Sequence, residues 1–220
     1  MFDFSVLVDA WRMFLDGLLM TIFLTIVGCS IGTIIGASCA WGSVYGSRWL
    51  KLLINIYVEV FRNTPFIVQL FFIFFGLASI NLRMGAVAAS IFALAINLGA
   101  YACEICRAGI LATPKGQYEA ASSLSLNRFQ IFMYVVIPPA LARVWPALVS
   151  QLIIMLLATS VCSQVSTEEL FYVANLISSQ TFRSFESLGF VTLLYLLLAM
   201  AFRQILFWFG PAFIFGKVKF

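Results

Sequence analysis

The stretch GLLMTIFLTIVGCSIGTIIGASCAW, residues 17–41, contains no charged residue and decides the class of fold. A helix rises about 1.5 Å per residue, so this stretch is long enough to cross a hydrocarbon core roughly 30 Å thick. In the whole chain 63% of the residues are hydrophobic, 10% are charged and the mean hydropathy is +1.04. Soluble domains carry about 25% charged residues. The sequence therefore predicts an all-α integral membrane protein.

Long runs without charge recur along the 220 residues and fit five transmembrane helices. We predict these spans at residues 17–41, 53–78, 85–107, 141–164 and 188–210. They would form one transmembrane domain over residues 1–220. Because the number of spans is odd, the two termini are expected on opposite sides of the membrane.

The basic residues predict the orientation, because Lys and Arg are enriched in cytoplasmic loops. If the N-terminus is outside, nine basic residues fall on the inner side: Arg48, Lys51, Arg107, Lys115, Arg128, Arg143, Arg203, Lys217 and Lys219. Three fall on the outer side: Arg12, Arg83 and Arg183. We therefore expect the N-terminus outside, the C-terminus in the cytoplasm and residues 109–140 in the cytosol. The acidic N-terminal stretch lacks a small-residue cleavage site, so we expect no cleaved signal peptide.

Several features of the sequence predict helix packing and do not indicate a metal, redox or nucleic-acid-binding site. Gly28, Gly32 and Gly36 recur every four residues and predict close approach of another helix. Cys103 and Cys106 have the spacing of a metal or redox pair, but no second ligand pair accompanies them. The modest net charge of +4 does not indicate a nucleic-acid partner.

The segment YEAASSLSLNRFQIFMYVVIPPA, residues 118–140, is a polar island in this apolar chain. Thr113 and Pro114 predict a helix start, with a capping hydroxyl and a proline at the first helical position. Ser125 and Asn127 are expected to end that helix, and Pro138–Pro139 to break the chain before the fourth span. The residues alone allow an ordinary amphipathic loop or a short helix that docks in the groove of a partner.

The island closely resembles the signature of importer permeases of the ATP-binding cassette (ABC) type. That signature is Glu-Ala-Ala, three residues, Gly, nine residues, Ile, one residue, Leu-Pro. Here Glu119, Ala120 and Ala121 are followed in register by Ser125, and later by Val135, Val136, Ile137 and Pro138. The departures are Ser for Gly, Val for Ile and Ile for Leu. Glycine adopts a positive φ without strain, so serine at position 125 puts the turn geometry in question.

Two further stretches, VEVFRNTPFIVQLFFIFFGL (58–77) and NLGAYACEICRAGI (97–110), resemble permeases of polar amino acid importers, as does FRSFE (182–186). The resemblance covers nearly the whole chain. It implies a type I ABC importer fold in the bacterial inner membrane and no enzymatic activity in this chain. It also implies an ABC ATPase dimer docked on a coupling helix in 109–140, a second permease subunit (identical or sister chain) and a periplasmic amino-acid-binding protein. The chain has no phosphate-binding Gly-rich loop, so ATP and Mg²⁺ are expected on the ATPase.

Polar residues inside predicted spans mark a candidate substrate pathway, because such residues are costly in a membrane. Asn97, Tyr101 and Glu104 share one helical stripe with Ser90. Arg62, Asn63 and Thr64 lie before Pro65 in the second span. Arg62 could hold the carboxylate of an amino acid and Glu104 its ammonium group. Alternatively, Arg62 pairs with Glu104 or Glu59 and holds the helices together, or the residues form a gate. Arg107, three residues after Glu104 on the same helix face, is a second possible partner of that carboxylate.

Thr159 and Ser160 in the fourth span complete the candidate pathway, although hydroxyls also bond across helices in ordinary packing. Relatives often have an acidic or amide residue where this chain has Ala158. That difference implies a less basic cargo, or a substrate held by the partner subunit. An alternative function is a self-sufficient ion-coupled carrier, a class usually built from paired repeats that this sequence does not show.

Overall fold

The computed structural model describes residues 10–210, and no strand occurs in this range. We number the helices in chain order: α1 (Trp11–Tyr45), α2 (Arg48–Arg62), α3 (Phe66–Ser79), α4 (Ala86–Leu111), α5 (Lys115–Ser123), α6 (Arg128–Val165), α7 (Leu170–Thr181) and α8 (Ser184–Phe209). Helices α1, α4, α6 and α8 are long and apolar enough to cross a bilayer, and α2 with α3 makes a fifth span if the bent pair counts as one. The all-α membrane class is confirmed. Lys217 and Lys219 lie outside the described residues.

Helix α1 packs against α4 through its glycine stripe. Gly28 faces Leu94, Gly32 faces Leu98, and Gly36 faces Ala102. A Cβ atom added at Gly32 would lie 2.8 Å from the Cβ atom of Leu98, closer than side chains can approach. The glycines therefore let the two backbones meet, as the sequence predicts.

The expected second span is interrupted, because α2 and α3 meet at an angle of 108°. Pro65 precedes α3 with an extended backbone (φ −63°, ψ 137°) and restricts the residue before it from continuing α2. The Asn63 amide donates to the Glu59 carbonyl at 2.8 Å, and the Thr64 hydroxyl donates to the Val60 carbonyl at 2.8 Å. The Glu59 carbonyl also accepts from the backbone N–H of Asn63 at 3.1 Å, so the Asn63 amide adds a second donor there. The Thr64 hydroxyl supplies a donor to the next carbonyl, that of Val60, at the end of α2.

The predicted break at Pro138–Pro139 is wrong, because α6 is helical throughout from Arg128 to Val165. The segment Ile131–Val136 is π-helical, and the α-helical part of α6 begins at Ile137. Both prolines therefore lie in the first turn of an α-helical segment, where a missing N–H removes no α-helical hydrogen bond.

Helix α7, which the sequence did not predict, is anchored by a buried glutamate. The Glu169 carboxylate accepts hydrogen bonds from the backbone N–H of Phe171 at 2.9 Å, the backbone N–H of Tyr172 at 2.8 Å and the Tyr195 hydroxyl at 2.5 Å. Burial raises the pKa of Glu169 to about 7, and these hydrogen bonds oppose the rise. The Thr21 hydroxyl accepts from the backbone N–H of Leu170, so α7 is fixed to α1 and α8 at this point.

Candidate coupling loop and substrate pathway

Helix α5 ends in a turn at Ser125, the position at which the family signature has glycine. Ser125 has a left-handed backbone with φ of 59°. Its N–H donates to the Ser122 carbonyl at 3.0 Å, and the N–H of Leu126 donates to the Ala121 carbonyl at 3.4 Å. These two bonds form a Schellman motif, in which the left-handed residue is usually glycine. Serine therefore adopts the turn that glycine would adopt, at a cost in backbone strain.

The start of α5 differs from the prediction. Pro114 has an extended backbone (ψ 138°) and precedes the helix, so helical geometry begins one residue later, at Lys115. The Thr113 hydroxyl does not cap the helix; it is buried and has no hydrogen-bond partner within residues 10–210. Asn127 does not end α5 either. It forms a capping box with Gln130 and begins α6.

The signature residues divide between the surface and the interior. Glu119 and Ala120 are exposed on α5, whereas Ala121 is buried against a cluster that includes Ile131 and Val136. Pro138 is half-buried within α6. Only part of the signature therefore presents side chains to a partner, and Ala121 holds α5 against the helices beneath it.

The loop also carries exposed apolar side chains and is tied to the spans by polar contacts. Leu124 is 75% exposed and Phe129 is 70% exposed. The hydroxyl of Tyr118 on α5 hydrogen-bonds to the hydroxyl of Tyr45 at the end of α1. Arg143 on α6 donates to the carbonyl of Ala112 at 2.9 Å. The loop is therefore tied to the spans, and its exposed surface combines the large apolar side chains of Leu124 and Phe129 with charged and small polar residues.

Three of the predicted pathway residues form a charged cluster where α2 ends beside α4. The guanidinium group of Arg62 lies 5.6 Å from the ring centre of Tyr101. Its Nη1 atom is 4.0 Å from the carboxylate of Glu104. Arg107 also pairs with Glu104, with its Nε atom 3.3 Å from Oε2 and a second contact through Nη2. The expected pairing of Arg62 with Glu104 is present, but the closer partner of Glu104 is Arg107.

Asn97 and Thr64 are joined by a residue that sequence reasoning missed, Gln69. Asn97 is buried and donates to the Gln69 side-chain oxygen at 2.9 Å. The Gln69 nitrogen lies 2.7 Å from the Thr64 hydroxyl oxygen, 2.9 Å from the Phe61 carbonyl and 3.1 Å from the Thr64 carbonyl. The amide thus links the ends of α2 and α3 to α4. Gln69 could have been found from the sequence, because it is an amide within the otherwise apolar run 66–78.

Thr159 and Ser160 take part in other contacts. Thr159 is buried and donates to the Leu156 carbonyl at 2.6 Å, and its hydroxyl also interacts with Tyr195. Ser160 donates to the Leu157 carbonyl at 2.7 Å. The 3₁₀ segment Thr159–Val165 aims these hydroxyls at their own chain. The structure therefore groups Thr159 with the contacts of Glu169, a second buried polar residue that the sequence reasoning did not single out.

Comparisons with known proteins bear on the family and the fold. Residues 32–214 match the family described as the binding-protein-dependent transport system inner membrane component. The chain belongs to this family. The permease is 32% identical over 207 residues to the glutamine transport system permease protein of Escherichia coli (strain K12), covering 93% of the chain and 94% of that relative.

Solved structures extend the comparison. The permease resembles a chain of an amino acid ABC transporter crystallised with histidines, with a TM-score of 0.87, 36% identity, and 95% and 98% of the two chains covered. It shares its fold with the MetNI methionine ABC transporter in an inward-facing conformation, with a TM-score of 0.72 and 21% identity over 90% and 96% of the two chains. The prediction of a polar amino acid ABC permease with a type I importer fold is confirmed.

Proposed function

We propose that this permease imports polar amino acids across the bacterial inner membrane by coupling to a separate ATPase through residues 109–140. The observation that carries the proposal is α5, a short helix that exposes Glu119 and Ala120 and ends in the left-handed turn at Ser125. A small side chain beside a carboxylate suits insertion into a groove, because docking loses little side-chain entropy.

The proposed assembly contains an ABC ATPase dimer that binds ATP and Mg²⁺, a second permease subunit and a periplasmic amino-acid-binding protein. The N-terminus lies outside and the C-terminus in the cytoplasm, which places α5 on the side of the ATPase. The family name describes dependence on a binding protein and location in the inner membrane. The amino acid and glutamine systems among the relatives support the cargo class.

The cargo passes the charged cluster of Arg62, Tyr101 and Glu104 in this proposal. Arg62 is 41% exposed on its side chain, so its guanidinium group can still bind a carboxylate. Asn63, Thr64 and Asn97 hold the cluster in place through their bonds to backbone and to Gln69. Thr159 is fully buried beside Tyr195, so of the two predicted hydroxyl residues only the partly exposed Ser160 remains a candidate to line the proposed pathway.

Reconstitution of the permease with its ATPase and binding protein in liposomes tests the coupling. We expect Ala120→Arg and Glu119→Arg each to lower ATP-driven amino acid uptake by at least about tenfold, equivalent to about 1.4 kcal/mol of docking energy. The matched control Ala120→Ser keeps a small side chain and should retain uptake. Full uptake by Ala120→Arg would contradict docking through α5. Uptake that survives ATP depletion and collapses with an ion gradient would instead identify an ion-coupled carrier.

A further inference from the structure

Glu59 lies beside the proposed cargo site and has no partner for its charge. It is exposed on α2, and within residues 10–210 its carboxylate neither forms an ion pair nor accepts a hydrogen bond; the amide of Asn63 contacts only its backbone carbonyl. An isolated charge in a membrane domain is costly unless it faces water or a ligand. The position of Glu59 therefore requires an explanation.

A small cleft gives Glu59 a site to act in. Its volume is about 270 Å³, and it is lined by Val58, Glu59, Arg62, Asn63 and Tyr101. Pockets for drug-sized molecules measure about 300–1,000 Å³, so this cleft suits a solute as small as an amino acid. One carboxylate and one guanidinium group lie in its wall, three residues apart on the same face of α2.

The charges around the cleft separate into a positive and a negative part. Glu104 contacts both Arg62 and Arg107, so these three residues together carry one uncompensated positive charge. Glu59 carries the matching negative charge without contacting either arginine within 4.0 Å. The cleft is thus neutral overall but polarised, as a site for a zwitterion should be.

The sequence of α2 supports the same placement. Its strongly polar residues recur at intervals of three and four and form one stripe: Arg48, Lys51, Asn55, Glu59 and Arg62. Buried Ile54 and Val58 flank this stripe on one side, and exposed Trp49 and Ile56 lie on the other. The stripe therefore runs between the protein interior and an apolar outer face, and it ends at the cleft.

We propose that Glu59 binds the α-ammonium group of the cargo while Arg62 binds its carboxylate, so that the cleft selects amino acids with uncharged side chains. This assignment rests on the proposed function. Glu104 is then a positioning residue that orients Arg62 between α2 and α4. An uncharged cargo side chain follows from the balance of charge, because a zwitterionic backbone already compensates both parts of the cleft.

The test measures binding of labelled glutamine to the purified permease–ATPase complex in nanodiscs without the binding protein. Competitors are unlabelled glutamine and its analogue that lacks the α-amino group. We expect Glu59→Gln to weaken glutamine binding at least about tenfold and to leave binding of the deaminated analogue unchanged. Glu59→Asp should restore part of the discrimination. Asp16→Asn, which neutralises an exposed acid on α1, is the matched control and should behave as the wild type.

Two results would overturn the assignment. If Glu59→Gln discriminates between the two ligands as the wild type does, Glu59 does not bind the ammonium group. If Glu104→Gln loses the discrimination instead, Glu104 has that role. Failure of the proposed function would look different: the wild-type complex itself would import no amino acid in liposomes.

Discussion

Two interruptions of helix, at residues 63–65 and at residues 124–127, are stabilised in opposite ways. At residues 63–65 the side chains of Asn63, Thr64 and Gln69 are bonded to backbone carbonyl groups. At residues 124–127 the turn is held mainly by backbone bonds around Ser125, and large side chains such as Leu124 stay exposed. A break inside a membrane domain must satisfy its own polar groups. A break at its surface can leave side chains available to a partner.

Replacing Gln69, whose amide holds the break at residues 63–65, should have the largest effect on stability. Gln69→Leu leaves the buried amide of Asn97 without its acceptor and removes the side-chain donor to the carbonyl groups of Phe61 and Thr64. We expect a loss of about 2–4 kcal/mol in stability, as for other broken buried networks. The thermal unfolding of the purified complex measures this change. Gln164→Leu is the control, because within residues 10–210 that exposed amide bonds only to Ser163, and its loss should have little effect.

Removing the helix cap at the turn of residues 124–127 should have a smaller and more local effect. Asn127→Ala removes the side-chain oxygen that accepts from the backbone N–H of Gln130, while the backbone N–H of residue 127 can still donate to the Gln130 side chain. Loss of this half of the capping box should destabilise the start of α6 by about 1 kcal/mol. Hydrogen exchange over residues 124–131 would rise, while exchange in α4 would stay the same. Equal increases in hydrogen exchange over residues 124–131 and in α4 would contradict this expectation. They would show that the turn at residues 124–127 is as tightly coupled to the core as the break at residues 63–65.

Relieving backbone strain at Ser125 should give the smallest change in stability, and this change should be stabilising. Ser125→Gly removes the cost of a left-handed serine and should stabilise the turn by about 0.5–1 kcal/mol. Ser123→Gly, two residues earlier within α5, should destabilise the helix by a similar amount. Proteolysis rates at the loop compare the two variants. A Ser125→Gly protein that is cleaved faster than the wild type would mean that serine makes an additional contact there.

The features that sequence reasoning predicted depend on local patterns. The long spans follow from the length of apolar runs, and the contact of α1 with α4 follows from glycines spaced four residues apart. Ser125 was placed correctly at a turn because its position in the signature usually holds glycine. The charged cluster of Arg62, Tyr101 and Glu104 was found because charges and polar rings stand out in apolar helices.

The features that were missed depend on direction and on tertiary contact. Hydropathy measures how much apolar chain is present, and it does not show that the chain turns by 108° before Phe66. The effect of a proline depends on which hydrogen bond its missing N–H removes, so Pro138 and Pro139 stay inside α6. The hub role of Gln69 requires the carbonyl of Phe61 and the amide of Asn97 to meet in space.

The glycine stripe of α1 has a mechanical consequence. Gly32 and Gly36 let α1 and α4 approach so closely that even a methyl group would overlap Leu98 or Ala102. We therefore expect α1 and α4 to move together as one rigid unit. Bending is then left to non-helical joints such as residues 63–65, where the geometry depends on one glutamine amide.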